Sequence, residues 1–163
     1  MEKFILLITS FILIACNGEK KKENKSVSIF ISNSNYNCDL EKGIFKIPAI
    51  NFVDTLHLNS DEKNKILNAF YKYHIDTLNG DKHVAPEKPI MPDFSDEIKI
   101  SIAHQEKLRL KISSQLENSN LNKVQRDIFE FRNQLYDVLN KNSGFKKCMN
   151  IVKSNYKNFP PGL

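Results

Sequence analysis

The chain has 163 residues, and at 18.9 kDa with 40% apolar and 26% charged side chains it is long enough to bury one sizeable core, so one domain is expected. This composition excludes collagen-like, coiled-coil and wholly disordered classes. The formal net charge of +5 raises the question of a nucleic-acid or membrane partner, and the positions of the charges decide it.

Met1-Glu2-Lys3 precedes an apolar run from Phe4 to Ile14 that is interrupted only by Thr9 and Ser10. A membrane-spanning helix needs about 20 apolar residues, and this run stops short of that before Asn17-Gly18-Glu19-Lys20, so the pattern is that of a secretory signal. The run ends in Leu13-Ile14-Ala15-Cys16, which resembles the lipobox of bacterial lipoproteins. The resemblance implies a signal peptide over 1–15, cleavage before Cys16 and acylation of Cys16, which would anchor the chain in a lipid bilayer. Two or three acyl chains exceed the single-chain threshold of marginal, reversible membrane binding.

Residues 17 to 26 carry four lysines, two glutamates and no apolar side chain that could enter a core, and they read as a solvated tether. An Asn/Lys/Ile-rich chain with charge soon after the acylated cysteine resembles lipoproteins of Bacteroidota. Asn17 stands where an Asp would imply inner-membrane retention, so the implied address is the outer membrane, on either face. The expected domain is then 27–163.

With Cys16 acylated, Cys38 and Cys148 remain, an even pair in a chain expected in an oxidising compartment. A disulfide between them would close a loop of about 110 residues, worth roughly 4.7 kcal/mol in the chain-entropy model. Two buried free thiols are the alternative, because spacing alone does not bring two Cα atoms into bridging range.

Val27 to Ser32 and Ile44 to Val53 are rich in β-branched and aromatic residues and read as strands, the second with Pro48 at an edge or bulge, and Asn33 to Asp39 reads as a polar loop. Asn59 or Ser60 offers an N-cap, Asp61 and Glu62 suit the positive end of a helix, and Gly80 marks its exit. Its expected apolar face is Ile66, Leu67, Phe70, His74 and Leu78. Asp81 to Glu97, with three prolines and no periodicity, reads as a long loop of the kind that often carries function. Ile98, Ile100 and Ile102, then Leu108, Leu110 and Ile112, alternate with polar residues and predict a hairpin joined by about five residues around His104-Gln105. Asn122 with Gln125 resembles a capping box opening a helix with Val124, Ile128, Phe131, Leu135, Val138 and Leu139 inside. Phe145, Cys148, Met149, Val152 and Tyr156 predict a shorter last helix, before the extended tail Phe159 to Leu163. The expected class is α+β: an antiparallel sheet of about four strands covered by two long helices and a shorter C-terminal one.

No phosphate-cradling glycine loop, dinucleotide fingerprint or Gly-x-Ser-x-Gly elbow is present. His74, Asp76, Asp81 and His83 have no recognised zinc spacing, and Asp93, Asp96 and Glu97 lack the calcium-loop pattern, so no metal and no cofactor is expected. Tyr71-Lys72-Tyr73-His74 reads as a helix flank, and no nucleic-acid motif accompanies it. The expected function is therefore that of an envelope lipoprotein whose domain binds another protein, for instance an exported toxin or an assembly component, through Asp93, Asp96, Glu97, His104 and Gln105. The alternatives are an envelope enzyme of hydrolase type and a spacer lipoprotein without a specific ligand. The charge is consistent with this: residues 141 to 163 hold five lysines and no acid, whereas 27 to 140 hold 14 basic and 16 acidic side chains. The basicity belongs to the two ends, where it suits anionic headgroups or polysaccharide better than nucleic acid.

Overall fold

The computed structural model describes residues 26–88, 94–117 and 120–156. The expected signal peptide, Cys16, the expected tether up to Lys25, Asp93 and the tail from Phe159 to Leu163 lie outside the described residues. Seven strands form one sheet: β1 (Val27–Ser32), β2 (Asn37–Asp39), β3 (Ile44–Ile47), β4 (Phe52–Thr55), β5 (Gly80–Val84), β6 (Ser95–Ile102) and β7 (Gln105–Ser113). Their order is β4-β3-β2-β1-β6-β7-β5, antiparallel throughout except for the parallel β5–β7 pair. Three helices, α1 (Ser60–Lys72), α2 (Lys123–Leu139) and α3 (Ser143–Tyr156), complete the fold.

The class is α+β as expected, but the four-stranded antiparallel sheet under two long helices and a shorter one is overturned. The sheet is mixed and has seven strands, and α3 with 14 residues is not shorter than α1 with 13. Each difference has a local cause. Strand β2 lies in the stretch expected to be a loop, because only Cys38 of its three residues is apolar and three residues show no alternation. Pro48 does not interrupt one strand; it opens a 3-10 turn at Pro48–Ile50 that reverses the chain, so that β3 and β4 pair as a hairpin. Strand β5 carries Asp81, Lys82 and His83, the charged composition that keeps a sheet edge from recruiting further strands. Helix α1 ends at Lys72 because His74 takes a left-handed conformation (φ 54°) ahead of a second 3-10 turn at Ile75–Thr77.

The core fills the space between one sheet face and the helices. Ile31, Phe45, Ile98, Ile100, Leu110 and Ile112 from the strands meet Phe70, Phe131, Leu135 and Phe145 from the helices, all essentially without solvent exposure. Phe70 and Phe131 join α1 to α2 with ring centroids 6.4 Å apart. Phe145 sets α3 over the other half of the sheet, edge-on to Phe45 at 5.8 Å and to Tyr36 at 6.2 Å. Gly43 turns β2 into β3 with φ 64°, and a Cβ there would sit 2.6 Å from the Leu56 carbonyl oxygen, so no other residue fits without moving backbone.

Cys38 on β2 and Cys148 on α3 are both fully buried, in facing layers of this core. The expected disulfide is not formed; both are free thiols. Burial pushes the Cys38 thiol up to about 12, with Cys148 and then Asp39 adding to the rise. Burial also raises the Cys148 thiol.

Candidate functional site

Alternation along the strands places Phe30, Lys46, Lys99, Arg109 and Lys111 on the face of the sheet opposite the core. Register aligns them. Asp39, Phe30, Lys99, Arg109 and Asp81 form one row across β2, β1, β6, β7 and β5. Lys46, Asn37, Ser32, Glu97, Lys111 and His83 form the next. Half-buried Phe30 is thus an aromatic centre with Asp39 on one side and two cations on the other. The Lys99 ammonium lies 5.9 Å from its ring centroid and 3.0 Å from Glu97 Oε1. Arg109 is braced by Glu106 at 2.8 Å. Phe30, Asn37, Asp39, Lys42, Ile44 and Lys46 line a shallow depression of about 240 Å³ on this face.

The sequence candidates separate onto different surfaces. Glu97 belongs to the open face. Asp96, one residue earlier, points inward, is only 8% exposed, and accepts Arg132 Nε and Nη2 from α2 at 2.9 and 2.6 Å and Asn33 Nδ2 at 3.1 Å. Arg132 also stacks over the Tyr136 ring at 5.1 Å, and the Tyr136 and Tyr36 hydroxyls share a hydrogen bond of 3.1 Å. Burial raises the pKa of both phenols, opposed at Tyr36 by that hydrogen bond. Asp96 therefore ties β6, the β1–β2 loop and α2 together and is not presented to a partner.

His104 and Gln105 are exposed at the hairpin tip, but the connection is shorter than the expected five residues. Ile102 pairs directly with Gln105, leaving Ala103 and His104 as a two-residue turn with φ 51° and 64°. A register shift after Ile100 leaves Lys107 without a cross-strand partner and makes this short turn possible. Two successive positive φ values are the signature of a type I′ turn, which Asn-Gly would fill with less strain. The Ala103 amide donates to the Ser26 carbonyl at 3.0 Å, so the tip lies beside the first described residue.

At the same end of the sheet, β1, the β2–β3 turn and α1 enclose a cleft of about 460 Å³. Its walls are Val27, Ile29, Leu40, Leu58, Ile66, Leu67 and Phe70, with Ser26, Glu41 and Lys63 as its polar members. A smaller cleft of about 280 Å³ includes His74, Lys123 and Asp127 but not His83 or Asp96, so it does not gather the described histidine and acid candidates. Among the described residues no group of three His, Cys, Asp or Glu side chains could hold a metal ion, and no helix is long and apolar enough to cross a membrane.

Alternation alone pointed to a polar face on β6 and β7, but not to Phe30 at its centre or to the apolar cleft, since each needs the order in which strands and helices meet. Compared with protein-family models, with curated proteins and with solved structures, the chain has no match in any of the three.

Proposed function

We propose that the protein is a cell-envelope lipoprotein, held in the outer membrane by acyl chains on Cys16, whose domain binds another protein without catalysing a reaction. The lipobox Leu13-Ile14-Ala15-Cys16 supports the anchor. The observation that carries the binding role is the open face of the sheet. There Phe30 stands in register with Lys99 and Arg109, on the face opposite the buried core residues. An aromatic side chain with an arginine two strands away, among interspersed charge, is the kind of composition that protein interfaces favour. Antiparallel strands tolerate such a face in water, which keeps it available.

The test is chemical cross-linking of the full-length protein in its native envelope, comparing the parent with Phe30→Ala and with Arg109→Glu. One reproducible partner, captured at least tenfold less by both variants at unchanged expression, is the expected result. Undiminished capture by the folded variants would remove the open face from the reading.

A further inference from the structure

We infer that the cleft between β1 and α1 binds the acyl chain of a single-chain zwitterionic phospholipid, with its phosphate at Lys63 and its ammonium at Glu41. Three observations lead there. The first is the wall: this half-open recess of about 460 Å³ is lined largely by apolar side chains, among them the buried Ile29, Ile66 and Phe70. Its volume falls in the range of ligand sites and suits one hydrocarbon chain.

The second observation is charge. The polar members include one cation, Lys63, and one anion, Glu41, and neither side chain has an ion-pair or hydrogen-bond partner among the described residues. Opposite charges at the rim of an apolar recess complement a headgroup that carries both signs, whereas a fatty acid would satisfy Lys63 and meet Glu41 with like charge. The third is position. Ser26 borders the cleft, and Cys16 lies ten residues before it, a span of at most about 35 Å when extended. This last argument rests on the anchored reading, under which the cleft stays within reach of the headgroup layer.

The experiment is photolabelling of the purified full-length protein with a lysophosphatidylethanolamine carrying a diazirine in its acyl chain, followed by peptide mapping. Label concentrated on peptides containing Leu40 and Leu67 is expected. It should fall at least tenfold in Leu67→Glu, a half-buried position, with folding of the variant checked by circular dichroism. It should fall several-fold in Lys63→Glu and return in the charge-swapped Glu41→Lys/Lys63→Glu pair. Label spread evenly over the chain, or unchanged in folded Leu67→Glu, overturns the site. Equal competition by lauric acid overturns the headgroup assignment, and displacement by an apolar peptide alone assigns the cleft to a protein segment instead. Anchoring is read separately, by whether Cys16→Ser still floats with membranes, so loss of one reading is distinguishable from loss of the other.

Discussion

Asn142 and Glu62 join the beginnings of two helices that are far apart in sequence. Asn142 Nδ2 lies 3.1 Å from both Glu62 carboxylate oxygens and 2.9 Å from the His57 carbonyl, while its Oδ1 accepts the Phe145 amide at 3.0 Å. Glu62 is at the same time the reciprocal partner of Asn59 in the capping box of α1. One buried amide thus caps α3 and braces the cap of α1. Asn142→Asp keeps a good capping oxygen but turns the donor into a second carboxylate facing Glu62. It should destabilise the domain by about 2 kcal/mol, more than the ~1 kcal/mol usual for losing a cap, as read from urea unfolding.

Asp96 and Arg132 form the other long-range polar joint. Arg132→Ala leaves a nearly buried carboxylate with Asn33 as its one remaining side-chain donor among the described residues, and a loss of about 3 kcal/mol is expected, at the lower end for buried pairs because Arg132 keeps some exposure. Lys147→Ala removes an ion pair from Asp54 that is largely solvent-exposed, and should change the urea midpoint very little.

The Ala103-His104 turn predicts a gain. Asn and Gly populate left-handed backbone far more readily than Ala and His, so Ala103→Asn with His104→Gly should stabilise the domain by about 1 kcal/mol and raise the melting temperature. An unchanged or lower melting temperature would mean that the two side chains contribute contacts that outweigh their backbone strain.

Alkaline pH should expose the cost of the buried thiols and phenols. The Cys38 thiol gives up its proton less readily in the folded chain, at about 12 against 9.0 when free, so its contribution to stability is complete below pH 9.0 and is lost as the pH rises toward about 12. Tyr36 and Tyr136 act in the same direction. Urea midpoints should fall through this window, and less steeply in Cys38→Val. Under reducing conditions the native domain should resist thiol alkylation at neutral pH, with both Cys38 and Cys148 reacting once it is denatured.

Cys16→Ser should abolish metabolic lipid labelling and release the protein from membranes. Membrane attachment equal to the parent's would remove the lipobox reading.

What was legible in the sequence follows from how far each signal reaches along the chain. The capping boxes at Asn59 and Asn122 lie within four residues and were readable, as was the alternation of Ile98 to Ile102 and Leu108 to Ile112. Strands β2 and β5 were not, because three residues around Cys38 and a charged edge carry no periodicity of their own; their strand character comes from neighbours supplied by β1 and β7. Leu78 kept helical spacing with Phe70 while lying past a left-handed His74, a break that no apolar pattern records. Asp96, expected among the partner-binding residues, turns inward instead, and no local pattern shows it because its partner Arg132 is 36 residues away. Val124, assigned to the inner stripe of α2, is 43% exposed at the first turn, where the helix has not yet reached the core.

The parallel pairing of β5 with β7 also sets an order of events. Strand β5 precedes β6 and β7 in the chain, yet among the described residues β7 is its one neighbour in the sheet, so Gly80–Val84 joins its ladder after the β6–β7 hairpin has closed. Before then the charged residues of this strand serve a second purpose, keeping an unpaired segment soluble until its place exists.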